Sequence, residues 1–455
     1  MRSFEAEDTI AALATPSGRS ALGIVRISGR SCRAILPQIF VPRHGEITSF
    51  RPILGKVILG PERHLDEAFL AYFESPHSYT REDLAELTCH GNPLILETIL
   101  ERILACGARL ARPGEFTYRA FLNGRLDLVQ AEAVADLISA DSLYQTELAL
   151  SHLEGSLSKR LGELRARFLD LISLLEGNLD FSEEQHYEFI RNQEALEKIE
   201  TITAEMRNLL GSFDRGRMIR EGFHVVLVGK PNVGKSSVFN ALLGNDRAIV
   251  TPVPGTTRDY LQERIVVGNH LIYVIDTAGI HDSIEPVERL GIERSRERIE
   301  KADLIVFVVD GSSPIDSADE ALWKLTENRE RVIVANKSDV AGFSPQVALT
   351  SHTLPVSAKT GAGIDALLEW IAKRAEDSVR FSGQDSVISN LRHRDILKQS
   401  LECLHRAKQS LESQMSEEFP LVDLHQAMNS IGEIVGDVTV DDIYQQIFSR
   451  FCIGK

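Results

Sequence analysis

Residues 229–236, Gly-Lys-Pro-Asn-Val-Gly-Lys-Ser, constrain the fold of this chain more than any other stretch. The apolar run 225–228 precedes them and the apolar pattern of 238–243 follows, which predicts a strand, a glycine-rich loop and a helix in that order. In such a loop the backbone N–H groups converge on phosphate oxygens, and the helix N-terminus adds a favourable dipole. We therefore expect Lys235 to reach the β- and γ-phosphates and Ser236 to bind Mg²⁺.

Two later strands end in motifs that indicate a guanine nucleotide. Residues 271–276 end in Asp276 of Asp-Thr-Ala-Gly, placed to hold the Mg²⁺ shell, with Gly279 free to turn its N–H towards a γ-phosphate. Residues 332–335 lead into Asn-Lys-Ser-Asp, whose Asp339 carboxylate can accept hydrogen bonds from guanine N1 and its exocyclic amine. Adenine lacks these donors, so bound ATP would leave the carboxylate buried and unpaired. A Ras-like domain that binds GTP is predicted.

The catalytic part of this domain departs from the Ras pattern. Residues 251–259 lie where the first switch must be, and a threonine hydroxyl there completes the Mg²⁺ shell only when the γ-phosphate is present. Ile280 stands where Ras-like GTPases carry a water-orienting glutamine, so another water-positioning group and another positive charge are needed. Asn232 suggests, as a hypothesis, a cage for a monovalent cation beside the phosphates. The predicted GTP-binding residues are Asn232, Val233, Gly234, Lys235, Ser236, Ser237, Thr251, Thr256, Thr257, Asp276, Thr277, Ala278, Gly279, Asn336, Lys337, Asp339, Ser357, Ala358 and Lys359.

Composition bounds the class of protein. A chain of 455 residues with 43% apolar content is long enough for roughly two to four domains with cores of their own. The five cysteines are dispersed without a Cys-x-x-Cys pair, so neither a disulfide framework nor a zinc site is expected, and a cytoplasmic location fits. No apolar run is long enough to cross a bilayer. The net charge of −16 argues against broad electrostatic binding of nucleic acid but leaves room for a local basic patch.

The amino-terminal residues predict a small α+β domain. Short apolar strands alternate there with helical patterns. The predicted strands cover 21–27, 53–59, 68–73 and 84–88, and the predicted helix covers 94–104.

Leucine-rich stripes on both sides of the nucleotide motifs repeat every three or four residues, which indicates bundle helices. Neither flank alone is long enough for a sizeable core, so one helical domain split in sequence, with the GTPase domain inserted, is the economical architecture. The polar stretch 376–390 predicts a linker, and 439–442 resemble a helix N-cap. The predicted domains are 1–120, 121–218, 219–378 and 379–455. The stripes are Leu153, Leu157, Leu161, Leu164, Phe168, Leu171 and Leu175; Leu196, Ile199, Ile202, Met206, Leu209 and Phe213; Leu391, Leu397, Leu401 and Leu404; and Leu421, Leu424, Met428 and Ile431.

Four features together closely resemble the MnmE (TrmE) family of bacterial tRNA-modification GTPases. They are the phosphate loop, the Gly-Thr-Thr-Arg-Asp switch at 255–259, the inserted topology and Cys-Ile-Gly-Lys at 452–455. Many GTPases share the nucleotide motifs, whereas the cysteine-bearing tail and Ile-Val-Arg-Ile-Ser-Gly at 24–29 are specific to the family. The resemblance runs along the whole chain. It implies a homodimer that acts in a heterotetramer with the flavin-binding partner MnmG (GidA). The pair would add a carboxymethylaminomethyl or aminomethyl group to carbon 5 of the wobble uridine of certain tRNAs.

The resemblance also implies cofactors and site residues. The N-terminal domain is similar to a folate-binding domain that forms the dimer and holds 5-formyl- or methylene-tetrahydrofolate. The resemblance implies that potassium replaces an arginine finger. Paired GTPase domains would hydrolyse GTP with Lys235 and a water-orienting Glu288. Cys452 would be a candidate residue in one-carbon handling. Arg125 replaces a lysine of some members, which makes its contact the weakest match. The implied ligand residues are Arg26, Glu86, Arg125 and Lys455 for folate, Ser236 and Thr257 for Mg²⁺, and Asn232, Thr251, Thr256 and the carbonyl of Val253 for K⁺.

Alternatives remain for several of these residues. Without the resemblance, the folate-site charges are ordinary ion pairs, Glu288 is a helix-capping acid and Cys452 is an incidental small residue. A regulatory GTP switch, such as a ribosome-assembly factor, and a membrane-fission GTPase are rival functions; the second lacks an amphipathic or basic membrane segment. The densest basic run can meet RNA phosphates or form a solvated helix face. It comprises Arg392, His393, Arg394, Lys398, Arg406 and Lys408.

Overall fold

The structure is a computed structural model. It describes residues 8–60, 63–181, 189–245, 249–250, 262–276, 298–344, 353–379, 386–437, 447–448, 451 and 454. Within those ranges, no helix combines the length and the apolar character that crossing a bilayer requires.

The first sheet has seven strands in the order β3-β4-β5-β6-β2-β1-β7. Its pairs are antiparallel except for β1 with β7. Two helices, α1 and α2, cover one face and share its apolar core, as an α+β domain requires. The four strands and the helix predicted from the sequence are all confirmed. The elements are β1 (Ile10–Leu13), β2 (Ser20–Ser28), α1 (Cys32–Ile39), β3 (Phe40–Pro42), β4 (Ile53–Gly60), β5 (Arg63–Phe73), β6 (Leu84–Gly91), α2 (Pro93–Ala105) and β7 (Arg109–Leu110).

The second sheet also has seven strands, in the order β14-β13-β12-β8-β11-β10-β9. The five strands from β14 to β11 are parallel to one another. Strands β10 and β9 extend the sheet beyond β11 with antiparallel pairing. Helices α9 and α11 pack on one face and α10 on the other, so this is a doubly wound sheet. The elements are β8 (Phe223–Val228), α9 (Lys235–Leu243), β9 (Ile249–Val250), β10 (Gln262–Val267), β11 (His270–Asp276), β12 (Leu304–Asp310), α10 (Ser317–Leu325), β13 (Arg331–Asn336), β14 (Thr353–Pro355) and α11 (Ile364–Val379).

Helices lie before and after this sheet in sequence, which confirms the split helical region. Helix α6 buries its whole predicted stripe from Leu157 to Leu175, and it packs against α13. The remaining helices are α3 (Glu115–Leu122), α4 (Leu128–Ile138), α5 (Leu143–Leu153), α6 (Ser156–Phe181), α7 (Asn192–Gly211), α8 (Phe213–Glu221), α12 (Leu391–Glu412) and α13 (Glu418–Val435).

Three details of the helical prediction were wrong. The second stripe breaks at Ser212, because α7 ends at Gly211 and Phe213 begins α8. Leu391 is exposed, since it is the first residue of α12 and has no preceding turn beside it. The stretch 376–390 is not simply a linker: α11 continues to Val379 and Val387 is fully buried. The N-cap predicted at 439–442 lies outside the described residues.

The chain divides into two compact units, each assembled from separate segments. The first contains residues 1–138, 152–190 and 403–455, and the second contains residues 139–151 and 191–402. Each sheet lies within one unit.

Candidate functional site

The phosphate loop runs from the end of β8 into α9, where the sequence predicted it. Two glycines are required by close approach. A Cβ on Gly229 would lie 2.2 Å from the carbonyl oxygen of Val308, and one on Gly234 would lie 2.2 Å from Nδ2 of Asn336. Gly234 also has a φ of 96°, a left-handed conformation that other residues rarely adopt. The loop therefore fits directly against the ends of two neighbouring strands.

The two residues expected to handle phosphate and Mg²⁺ are held by short contacts. Lys235 is buried, and its Nζ donates to the carbonyl of Lys230 at 2.8 Å. Burial lowers the pKa of Lys235, while the nearby Asp276 opposes the shift. The Ser236 hydroxyl donates to Oδ2 of Asp276 at 2.6 Å, so the two predicted metal-shell residues meet. A hydroxyl beside a carboxylate is the oxygen donor set that Mg²⁺ prefers.

The residues predicted to bind the base form a second cluster, joined to the phosphate loop by Asn336. Its Nδ2 donates to the carbonyl of Val233 at 2.9 Å, and its Oδ1 accepts from the Ala358 N–H at 3.1 Å. The Ser357 hydroxyl donates to Asp339 at 2.7 Å and lowers the pKa of that carboxyl, which keeps it an ionised acceptor. The Asp339 carboxylate is exposed in the protein without a nucleotide, which leaves it accessible to a base.

Four further predicted residues lie in the described part of the nucleotide site: Lys337, Asn232, Ser237 and Lys359, of which Ser237 and Lys359 are exposed. Lys337 donates to Asp310 at 2.5 Å, which holds it beside the end of β12. Asn232 is exposed within the loop, at a left-handed φ of 65°. The following predicted residues lie outside the described part of the chain: Thr251, Val253, Thr256, Thr257, Thr277, Ala278, Gly279, Ile280, Glu288, Cys452 and Lys455.

Sequence reasoning missed the anchor of the phosphate loop. Lys230 contacts Asp316 at 2.7 Å and Asp319 at 2.8 Å. These aspartates form the capping box of α10, with Asp316 as N-cap. The Asp-x-x-Asp spacing predicts the N-cap of α10, but the sequence does not show that this cap lies beside the phosphate loop.

The residues expected to bind folate meet in the first sheet. Arg26 on β2 and Glu86 on β6 are directly opposite in register, and an Arg26 guanidinium nitrogen lies 2.7 Å from the Glu86 carboxylate. Arg26 also donates to the carbonyl of Gly454 at 3.0 Å. A Cβ on Gly454 would lie 2.2 Å from the carbonyl of Leu13, so this residue must be glycine. The strand pair and the carboxy-terminal segment therefore meet at one guanidinium group.

Arg125 joins the same cluster through Tyr79, a residue that the sequence did not single out. The guanidinium carbons of Arg125 and Arg26 lie 4.9 and 5.7 Å from the centre of the Tyr79 ring. The Tyr79 and Thr117 hydroxyls hydrogen bond at 2.9 Å, and Arg125 donates to the carbonyl of Ser78 at 3.0 Å. A cavity of about 620 Å³ also borders Arg125, but its other walls are residues 118–130 and 435–437, so it is not lined by Arg26, Glu86 or Tyr79.

The basic run in α12 does not present one continuous cationic face. His393 is buried, Arg394 contacts Asp395 at 2.7 Å, and Arg406 contacts Asp423 at 2.8 Å. These acids neutralise much of the charge that RNA phosphates would meet, which favours the solvated helix face.

Comparisons with known proteins cover the whole chain. Residues 9–125 match the family model described as GTP-binding protein TrmE N-terminus, and residues 128–452 match that of the MnmE helical domain. The tRNA modification GTPase MnmE of Aquifex aeolicus is 40% identical over 450 residues, 98% of this chain and 100% of that protein. The protein of the same name from Syntrophotalea carbinolica is 41% identical over 456 residues, 99% of each chain. A crystal structure of Era from Aquifex aeolicus is 27% identical, with 40% of this chain and 66% of the other covered and a TM-score of 0.28. The chain belongs to the MnmE family of tRNA modification GTPases.

Proposed function

We propose that this tRNA modification GTPase acts with the flavin-binding protein MnmG on carbon 5 of the wobble uridine of certain tRNAs. The group added is carboxymethylaminomethyl or aminomethyl, and GTP hydrolysis drives the conformational steps. The protein is a cytoplasmic homodimer that assembles with MnmG into a heterotetramer. The names of the relatives support the tRNA and GTPase parts of this proposal.

The one-carbon donor is 5-formyl- or methylene-tetrahydrofolate, and the cluster around Tyr79 is the observation that carries this part. Arg26 and Arg125 offer guanidinium donors for the carbonyl and carboxylate oxygens of a folate. Glu86 offers an acceptor for pterin N–H groups, and the partly buried Tyr79 ring offers an apolar face. Lys455 follows Gly454 in sequence and adds a further cation to the proposed set. Cys452 is proposed to act in one-carbon handling near this site.

GTP hydrolysis is proposed to depend on potassium rather than on an arginine finger. Asn232 is exposed in the phosphate loop, where its side-chain oxygen is available to a cation. Thr251, Val253 and Thr256 are the other proposed ligands. Ser236, already bonded to Asp276, is proposed to hold Mg²⁺ together with Thr257.

The proposed residues of the nucleotide site have distinct roles in hydrolysis. Lys235 leaves the carbonyl of Lys230 to neutralise charge on the β- and γ-phosphates. Glu288 orients the attacking water, which Ile280 cannot do because it has no polar atom. Potassium, when bound, supplies the positive charge that stabilises the transition state across paired GTPase domains.

The first test is the GTP turnover of the full chain in potassium and in sodium buffers of equal ionic strength. We expect potassium to accelerate turnover about tenfold or more, since a removed electrostatic contact in phosphoryl transfer costs at least that factor. Asn232→Ala should abolish the difference. Asn240→Ala is the matched control, because Asn240 is an exposed asparagine of the adjoining helix α9.

Equal turnover in the two salts would contradict the potassium mechanism. Ile280 would then stand without a compensating group, and a slow regulatory switch that needs an external activator would be favoured. An equal loss in Asn240→Ala would show that the Asn232 effect is not specific to the loop.

A further inference from the structure

The hairpin of β10 and β11 joins the two parts of the chain that are expected to sense the nucleotide. The candidate switch at 251–259 precedes β10, and β11 ends at Asp276. Strand β11 is fixed in the sheet, because residues 272–276 pair with β8. On its outer side, β10 pairs with β9 through Ile265 and Val266 among the described residues. The candidate switch leads directly into β10 in sequence, and β11 leads directly to Asp276.

An ion pair connects β10 to a segment from far earlier in the chain. A guanidinium Nη of Arg264 donates to Oδ2 of Asp141 at 2.5 Å, and the two side chains are 20% and 25% exposed. The Nε of Arg264 is buried and has no hydrogen-bond partner in the described ranges. Asp141 is thus the anion that holds this half-buried cation.

The same segment holds the turn of the hairpin. His270, at the start of β11, places Nε2 at 2.7 Å from a carboxylate oxygen of Glu376 in α11. The Tyr144 hydroxyl donates to the two oxygens of that carboxylate at 3.1 and 3.2 Å. The Tyr144 ring also contacts the His270 ring edge-on, with centres 5.0 Å apart. The middle of β10 and the turn of the hairpin are therefore both linked to residues 141–144.

The segment has its own rigid attachment. The Gln145 side-chain oxygen accepts from the N–H groups of Asp141 and Ser142 at 2.8 and 3.0 Å, and its amide donates to the carbonyl of Arg220 at 2.9 Å. Leu148 packs in an apolar cluster with Ile219, Val379 and Val387. These contacts anchor the segment independently of its two links to the hairpin.

We propose that residues 141–148 are a coupling site that reads the nucleotide state through the β10–β11 hairpin, with Asp141 and Tyr144 as positioning residues. The proposal rests on the GTP switching described under Proposed function. A shift of about 1 Å in Arg264 is enough to weaken a 2.5 Å contact, so the link is sensitive to small movements of β10. Helix α5 continues from this segment to Leu153. Its residues up to 151 belong to the second unit, and its last two residues, His152 and Leu153, belong to the first.

The test is amide hydrogen exchange of residues 143–151 in the full chain, with GDP and with a non-hydrolysable GTP analogue. We expect the exchange rates in the two states to differ about fivefold or more, because coupling of a local opening to the ligand changes its free energy. Arg264→Gln and Asp141→Asn should each reduce the difference to less than about twofold, by the same relation. The charge exchange Asp141→Arg with Arg264→Asp should restore it, which a merely destabilised variant would not show.

Arg217→Gln is the matched control. Arg217 is 20% exposed, like Arg264, and contacts Asp303 at 2.5 Å, but neither residue belongs to the hairpin. This variant should keep the nucleotide-dependent difference.

The outcomes separate the proposal from the function on which it rests. If the phosphate loop responds to nucleotide while residues 143–151 do not, the coupling site is refuted and GTP switching stands. If the difference persists in both single variants, or vanishes equally in Arg217→Gln, the ion pair is not the link and the proposal is again refuted. If no part of the chain responds to either nucleotide, the switch and the coupling site both fail.

Discussion

Glu115 is fully buried at the start of α3, yet donors surround its carboxylate. Arg109 contributes two hydrogen bonds, at 2.5 and 2.8 Å, and the N–H of Arg112 contributes one at 2.8 Å. Burial alone would raise the pKa of Glu115, but these bonds, with the charges of Arg109 and Arg119, outweigh it and hold the pKa below its ordinary value of 4.5. At this residue the ionised form stabilises the fold.

The sign of the resulting pH dependence follows from the lowered pKa. The stability contributed by ionised Glu115 is fully present above pH 4.5 and is lost as the pH falls below that value through the folded-state pKa. We expect Glu115→Gln to lower stability at neutral pH and to flatten its decline in acid, measured by urea unfolding on either side of pH 4.5. Glu46→Gln is the control, since Glu46 is exposed. An acid decline as steep in Glu115→Gln as in the natural protein would contradict this prediction.

Single residues of the nucleotide site were predictable where a motif fixes both residue type and spacing. Lys235 and Ser236 begin α9 directly after the loop, and Ser236 meets Asp276 because β11, which ends at Asp276, is the parallel neighbour of β8. Lys230 and Tyr79 were not predictable, because their partners are distant in sequence. Lys230 contacts the N-cap of α10. Tyr79 contacts the guanidinium groups of Arg26 and Arg125. Local spacing carries no information about such contacts.

At the scale of elements, α6 is the longest of the described helices, and its sequence contains two glycines. A Cβ on Gly162 would meet nothing within 4 Å, whereas one on Gly177 would lie 3.1 Å from the Phe189 ring. Glycine within a helix costs stability because its unfolded chain is more flexible than that of alanine. Replacing either glycine by alanine therefore gives the same gain in helix propensity, but only at Gly177 does the added methyl group meet a neighbouring side chain.

Gly162→Ala should raise the free energy of unfolding by about 0.5–1 kcal/mol, the difference in helix propensity between the two residues. Gly177→Ala should give a smaller gain or a loss, because the Phe189 ring must move. Urea denaturation followed by circular dichroism measures both. A loss of stability in Gly162→Ala would show that this exposed position has a contact beyond those described here.

The elements themselves were largely predictable, since apolar periodicity distinguishes strands from helices over stretches as long as α6. The errors lie at element ends. The apolar spacing continues past Ser212 although α7 ends at Gly211 and α8 begins at Phe213, so periodicity joined Phe213 to the stripe of α7. The role of 141–148 was also missed, because its partners Arg264, His270 and Glu376 are more than a hundred residues away in sequence.

At the scale of the whole molecule, the two proposed ligand sites belong to different compact units. The Arg26 cluster lies in the first unit and the phosphate loop in the second. A ligand stabilises the state that binds it, by about 2.7 kcal/mol at one hundred times its dissociation constant. Each ligand should therefore protect its own unit first.

We expect a GTP analogue to slow proteolysis of the second unit and 5-formyl-tetrahydrofolate to slow that of the first, measured by mass spectrometry of the fragments. Lys235→Ala should abolish the first effect alone, and Arg26→Gln the second alone. Each variant is the control for the other. Loss of both effects in either variant would contradict the assignment of the ligands to separate units.

The hydrogen bond between Arg26 and Gly454 spans 428 residues of chain. At the usual pace of synthesis, about 5–20 residues per second, roughly 20–90 s pass between the emergence of one partner and the other. The last segment of the second unit ends at residue 402, so that unit is complete about 52 residues, or roughly 3–10 s, before Gly454 is made. The order of synthesis therefore makes every segment of the nucleotide-binding unit available before the last partner of Arg26 exists.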